Sequence, residues 1–404
     1  MHRSRRFGVV GALLALVLVV GVATAAARVD IRTQAAAKAP VKVGIIYSRT
    51  GALAGFGNEY AQGFRLGLKY LTHGTNVVKG HKLQITYVDD GTDAAKAVAA
   101  GKDLIGQGYK ILAGSTSSGI ALQMGQLAAQ NRILFIAGPS ASDAITGLNR
   151  YTFRSGRQSY QDVLDAANFI PKAQVGKKVV VFAEDTAFGA SNVAAVRAVF
   201  GGRGHTVSSI LVPFNAADLT PFAQRLKNAN ADLVFVAWAG PNATQMWQSL
   251  QQQGVPSSTK LVTGLADRVT YSTLGPVLGG VNLLSHYVSN GPSKKNKVND
   301  WLVKTMKKSK QVPDLFTPDG FVAAEMIVRA VQKANGDDVD KMISALEGWQ
   351  FLAPKGKQRI RPQDHAMIQP MFQVQLVKKG STYAPKVIKV ISPGNVQPPV
   401  TPFK

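Results

Sequence analysis

Along most of the chain, short apolar runs take turns with stretches in which apolar residues recur every three or four positions. The runs "VKVGIIY" (41–47), "KLQITYVDD" (82–90), "YKILAG" (109–114) and "RILFIAG" (132–138) are β-branched and bounded by turn residues, and predict strands. Between them, 58–74, 93–108 and 119–131 carry helical spacing. In the first of these, Tyr60, Phe64, Leu68 and Leu71 mark one apolar helix face. Strands separated by such helices imply βαβ units on a parallel sheet.

The pattern restarts at "KKVVVFAED" (177–185). It continues through a helical 190–202, the run 205–214, a helix over 218–230 and strands at 231–240 and 260–266. Two α/β lobes of similar layout follow, joined by "YTFRSGRQSYQ" (151–161). After 280–293, helices are expected at 296–309, 318–334 and 337–347. The strand "MFQVQLVKK" (371–379) precedes a proline-rich tail (392–404), expected to be disordered or draped over the surface.

The amino terminus has its own pattern. Arg3, Arg5 and Arg6 precede a continuous apolar core (7–23), and Ala25-Ala26-Ala27 fits a small-residue cleavage site, so residues 1–27 are expected to be an export signal. Residues 28–40 then form a linker. The 404-residue chain has no cysteine, which excludes disulfides, thiolate metal sites, a cysteine nucleophile and a lipid-modified cysteine. Its net charge of +24 invites a nucleic-acid reading. The basic residues are scattered, however, apart from 294–297 and 304–310, and no basic platform interleaved with aromatics is present. A basic surface facing an anionic cell envelope or acidic partners is expected instead.

"VGIIYSRTGALAGFG" (43–57) runs from a strand into a glycine-rich turn. A dinucleotide fingerprint needs G-x-G-x-x-G there, and the order Gly51, Gly55, Gly57 is wrong for it. "AGSTSSGIALQ" is more informative: it ends a strand and opens a helix, where free N–H groups and hydroxyls favour an anion such as a carboxylate. Ser117 and Ser118 can cap that helix and face a cleft, and Ser140 and Ser142 stand at the adjacent strand end.

These segments, with "LQITYVDDGTDAAKAV" and "FIAGPSASDAITG", resemble type I periplasmic solute-binding proteins, more narrowly the branched-chain amino acid (Leu/Ile/Val) binding family of ABC importers. The resemblance spans residues 41–380. It implies a Venus-flytrap fold, α/β, with two Rossmann-like lobes on parallel sheets joined by crossover hinge strands. Lobe one would take 41–156 plus 289–365, and lobe two 157–288 plus 366–391.

It also implies a ligand site. Ser118 and the Pro139–Ala141 stretch match the family's carboxylate clamp, with Ala141 standing where Thr is frequent, so that Ser140 or Ser142 must substitute. Phe56, Phe188, Trp238 and Ala239 fall at ligand-facing positions, and Tyr160 follows the first crossover. The acid that meets the ligand ammonium in amino-acid binders aligns near Gly264 or Leu265. Asp267, next to Arg268, is the nearest substitute. If Asp267 reaches the cleft the ligand is an amino acid; otherwise an amine-free organic or aromatic acid fits better.

Enzyme signatures are thin. Ser257 to Lys260 spells S-x-x-K without its companion triad, no G-x-S-x-G elbow exists, and the histidines lack zinc-site spacing. The expected protein is therefore not an enzyme and carries no metal or other cofactor. It is an exported, monomeric binder that hands a small solute to permease subunits of an ABC importer and binds no nucleic acid. A ligand sensor of the same fold stands beside it as an alternative.

Overall fold

The computed structural model describes residues 38–170, 174–292 and 295–404; the expected export signal and residues 28–37 of the expected linker lie outside these. Strands β1 (Lys38–Tyr47), β2 (Val77–Val78), β3 (His81–Asp89), β4 (Ile111–Gly114), β5 (Leu134–Ala137) and β6 (Thr152–Arg154) form one sheet in the order β2-β3-β1-β4-β5-β6. All its pairings are parallel except that of β2 with β3. Val43, Ile45 and Ile46 of β1 are buried because helices cover both faces, as a parallel sheet requires. β1 starts three residues before the apolar run. Its register slips between Lys38 and Val41, around Pro40, which has no N–H for the ladder.

Helices α1 (Ala54–Leu71), α2 (Ala94–Gly106) and α3 (Ser118–Asn131) connect these strands. Tyr60, Phe64 and Leu68 of α1 are buried as their spacing predicts. The close approach of α1 to a later helix depends on glycine. A Cβ at Gly63 would overlap the Thr317 carbonyl, and one at Gly320 would overlap that of Tyr60.

After α4 (Ser159–Ala166), the second sheet begins. Its strands are β7 (Lys178–Glu184), β8 (Thr206–Val212), β9 (Leu233–Ala237), β10 (Lys260–Gly264) and β11 (Asn282–Ser285), connected through α5 (Ala187–Val196), α6 (Thr220–Asn228), α7 (Ala243–Gln252), α8 (Val255–Ser258) and α9 (Tyr271–Leu278). Ser257 and Ser258 of the S-x-x-K tetrapeptide donate their hydroxyls to the Gly254 carbonyl at 3.0 Å each, a local turn contact. The chain then returns to the first lobe with α10 (Lys297–Lys307), α11 (Thr317–Ala334) and α12 (Val339–Leu346). A small antiparallel sheet follows, of β12 (Gln350–Ala353), β13 (Gly356–Ile360) and β14 (Met367–Ile368). Finally β15 (Met371–Lys379) and β16 (Thr382–Ile391) complete the second sheet, in the order β16-β15-β11-β10-β9-β7-β8.

The chain passes between the sheets three times, after β6, β11 and β14, and the three crossings share one buried polar centre. There Asp319 of α11 pairs with Lys355. Lys355 Nζ also donates to Gln369 in the third crossing at 3.0 Å, and His286 Nε2 of the second lies 3.9 Å from Asp319. In the first crossing Gly156 packs so closely on Asp319 that a Cβ would sit 2.6 Å from its Oδ2. The carboxy-terminal tail lies against the first lobe. Arg361, paired with Asp364, donates to the carbonyls of Pro398 (2.6 Å) and Pro399 (2.9 Å).

Candidate functional site

Carboxyl ends of strands from both sheets face each other, the place where open α/β sheets accept ligands. Two adjoining compartments of about 300 Å³ each lie between them, sharing Leu53, Phe56, Arg157, Phe188, Ala239 and Phe316 in their walls.

The first compartment is the polar one in that hydroxyls and charges from strand ends meet in it, although Leu53, Phe56, Phe188, Phe214 and Phe316 make up much of its wall. The turn from β4 into α3 supplies Thr116, Ser117, Ser118 and Gly119. Ser115 takes a left-handed backbone (φ 65°), and its Oγ donates to the Ser117 carbonyl at 2.9 Å, shaping the turn. Ser117 precedes α3 but makes no side-chain cap, and the buried Thr116 Oγ1 has no partner. Hydroxyls without partners beside the start of a 14-residue helix suit an anion.

Arg157 adds a full positive charge. It is 9% exposed, its Nη1 donates to the Pro139 carbonyl at 3.1 Å, and its Nε lies 3.3 Å from Asp162 Oδ2. Its guanidinium also stands over the Phe316 ring at 5.8 Å. From the second lobe, Glu184 at the end of β7 faces the same space. Its oxygens accept N–H bonds from Ala239 (3.0 Å) and Gly240 (2.7 Å), yet burial pushes its carboxyl up to about 7.

The second compartment, the apolar one, has Trp238, Trp247, Leu265, Leu274 and Leu284 in its wall, together with Arg157, Asp162, Asp267 and His286. Trp238 stacks on Phe182 at 5.5 Å and donates its indole N–H to Asn242 at 3.0 Å. Asp267 reaches this compartment with a buried, unpartnered Oδ1. Burial, then the Asp314 charge, raises its carboxyl to about 7.

Of the residues singled out by sequence, Phe56, Phe188 and Ala239 line both compartments. Ser117, Ser118, Pro139 and Ala141 line the polar one, and Trp238 and Asp267 the apolar one. Ser140, Ser142 and Tyr160 line neither. Arg154 donates to the Ser140 carbonyl at 2.8 Å and draws that residue inward. Ser142 receives a bond from Ala144 N–H at 3.4 Å in a short 3-10 turn and gives its own N–H to Ser118 Oγ at 3.2 Å. Tyr160 packs on the second lobe's core. Among the described residues, no group of three or more His, Cys, Asp or Glu is arranged to hold a metal ion.

Sequence reasoning missed Thr116, Arg157, Glu184 and Phe316. Arg157 and Glu184 both sat in segments already singled out, "YTFRSGRQSYQ" and "KKVVVFAED", as charges just past or at strand ends.

Residues 40–381 match the family model described as periplasmic binding protein. The chain belongs to the periplasmic binding protein family. A Leu/Ile/Val-binding protein homolog of Brucella melitensis is 24% identical over 308 residues, 75% of this chain and 82% of that protein. A structure of an ABC-type branched-chain amino acid transporter protein from Rhodopseudomonas palustris is 30% identical, with a TM-score of 0.75 over 90% of this chain and all of that one. A second R. palustris solute-binding protein, solved with 4-hydroxybenzoate, has a TM-score of 0.79 at 21% identity, covering 88% of this chain and 97% of that one, and shows the shared fold. A periplasmic binding protein of ABC transporters, this chain has an exported family's architecture. Among its described residues no helix is long and apolar enough to cross a membrane.

Proposed function

We propose that this periplasmic binding protein captures a small carboxylate-bearing solute between its lobes and delivers it to the permease subunits of an ABC importer, without bond chemistry. The observation that carries this reading is Arg157, a nearly buried guanidinium that reaches both compartments. With Thr116 and Ser117 it makes a seat for a carboxylate, while Phe56 and Phe188 close over the rest of the solute. A solute that touches both lobes favours the closed form through its own contacts. The names of the relatives favour an amino acid. An amine-free aromatic acid is the second reading, favoured by the aromatic walls and by the neighbour solved with 4-hydroxybenzoate.

A thermal-shift screen of amino acids and aromatic and short organic acids, followed by calorimetry, tests it. At least one carboxylate should raise the melting temperature in a concentration-dependent way, and its carboxamide analogue should not. Stabilisation by carboxamides as strong as by the acids would count against Arg157 as the anchor.

A further inference from the structure

A carboxylate seat leaves the other end of the solute undefined. Where the family resemblance expects an acid at the end of β10 stand Gly264 and Leu265, and a Cβ at Gly264 would meet nothing within 4 Å. Asp267, further along, opens into the apolar compartment and faces the Asp314 charge. Glu184 is placed differently. It lies in the wall of the polar compartment, in the same space as Arg157, Thr116 and Ser117, but on the second lobe.

The side chain of Glu184 is buried, at 1% exposure, and forms no ion pair among the described residues. Its two oxygens each take one backbone N–H, leaving acceptor capacity on both. Gly240 is required for that arrangement, because a Cβ there would overlap Glu184 Oε1. A desolvated carboxylate without a counter-cation is costly unless a cation reaches it. Arg157 and Glu184 thus put opposite charges in the walls of one compartment of about 310 Å³.

We propose that Glu184 is the specificity-determining residue that accepts the α-ammonium of the solute, which makes the solute an α-amino acid with an apolar side chain. The inference rests on the carboxylate reading above. The carboxylate sits at Arg157 and Ser117, the ammonium at Glu184, and the side chain passes Phe56 and Phe188 towards Trp238 and Leu265. The acidic group that selects the amine stands at the end of β7, not β10.

The test compares each amino acid with its deamino acid by calorimetry: L-leucine with 4-methylpentanoate and L-phenylalanine with 3-phenylpropanoate. The wild-type protein should prefer the amine-bearing member of the binding pair by at least about a hundredfold, since a site built around a polar group rejects the analogue lacking it. In Glu184→Gln that preference should shrink to within about threefold, through loss of amino-acid affinity with the deamino acid little changed. Asp267→Asn should keep the preference. Equal losses for both members of a pair would overturn the proposal and leave Glu184 a purely structural tie to Ala239 and Gly240. So would loss of the preference in Asp267→Asn alone, or wild-type binding of the deamino acid as tight as the amino acid. That last comparison needs no variant to fold, and it would leave the carboxylate seat standing. Failure of both members of every pair to bind, while another carboxylate from the screen does bind, would remove the proposal and leave the carboxylate reading standing.

Discussion

The two compartments of the cleft are similar in size and both mix apolar walls with charged groups, but the helix-start hydroxyls and Glu184 stand in one and the tryptophans and Asp267 in the other. In the polar one, backbone turns at strand ends hold Thr116, Ser117, Arg157 and Glu184, and the buried Thr116 Oγ1 has no partner. In the apolar one, side chains of the second lobe's core, Trp238, Leu265, Leu274 and Leu284 among them, form much of the wall, and Asp267 stands in it with an unpartnered Oδ1. The difference separates two jobs. On the reading proposed above, charges on strand ends select the head group and the apolar wall limits the size of the side chain that follows. It also bears on closure. Arg157 already faces Asp162, whereas Glu184 has two N–H donors and no counter-cation, so the closed form gains from a solute that carries a matching positive charge.

That division of labour breaks first at Arg157. Arg157→Ala should weaken every carboxylate solute by about a hundredfold or more, because a buried charge-assisted pair is lost and its partner stays desolvated. Arg157→Lys should recover part of the loss, since an ammonium keeps the charge but not the planar fork. Calorimetry with the best solute from the screen measures both. A change under threefold in Arg157→Ala, with the fold intact by melting, would show that the head group is held elsewhere.

The apolar wall should give a smaller, size-graded effect. Trp238→Ala removes the ring stacked on Phe182 and enlarges the compartment. A solute with an aromatic or long branched side chain should lose about tenfold in affinity, and one with a methyl side chain less than threefold, within the range that apolar pocket contacts supply. Equal losses for both, measured by competition, would mean that the side chain never enters this space.

Most of the parallel strands were legible in sequence as β-branched apolar runs, and β1, β3, β4 and β5 lie within a few residues of their predicted limits, whereas the short β6 and β11 were not read as strands. The first crossing and the glycine turn that leads to Phe56 were legible for the same reason: they interrupt such runs at regular intervals. β16 was not. Pro385, Lys386 and Lys389 break its apolar pattern, which an edge strand tolerates and a central one does not. The small sheet of β12–β14 went unread because its strands are two to five residues long. At the site, Ser117 could be read from loop chemistry, and Phe188 only through the family resemblance. Whether Ser140 faced the cleft depended on Arg154, twelve and fourteen residues from the carbonyls of Ser142 and Ser140 that it binds. Arg157 and Glu184 look like ordinary surface charges until two lobes fold over them.

The smallest expected effect separates the charged compartment from its surroundings through pH. The Glu184 carboxyl rises from 4.5 to about 7 on folding because burial disfavours its charge. Below about 4.5 both folded and unfolded chains hold the proton. Between there and about 7 the unfolded chain has released it and the folded one has not. The solute-free protein therefore loses stability as pH rises through that window. Asp267, raised to about 7, and Asp165, likewise raised by burial, act in the same direction from lower starting values. The melting temperature of the solute-free protein should accordingly fall from pH 5 to pH 7.5, and Glu184→Gln should flatten part of that fall by a few degrees while leaving the share of Asp267 and Asp165. With saturating amino acid the Glu184 share should vanish in the wild type too, because the ammonium holds the carboxylate ionised in the folded state. A wild-type slope unchanged by solute would place the ammonium away from Glu184 and return the charged compartment to the carboxylate alone.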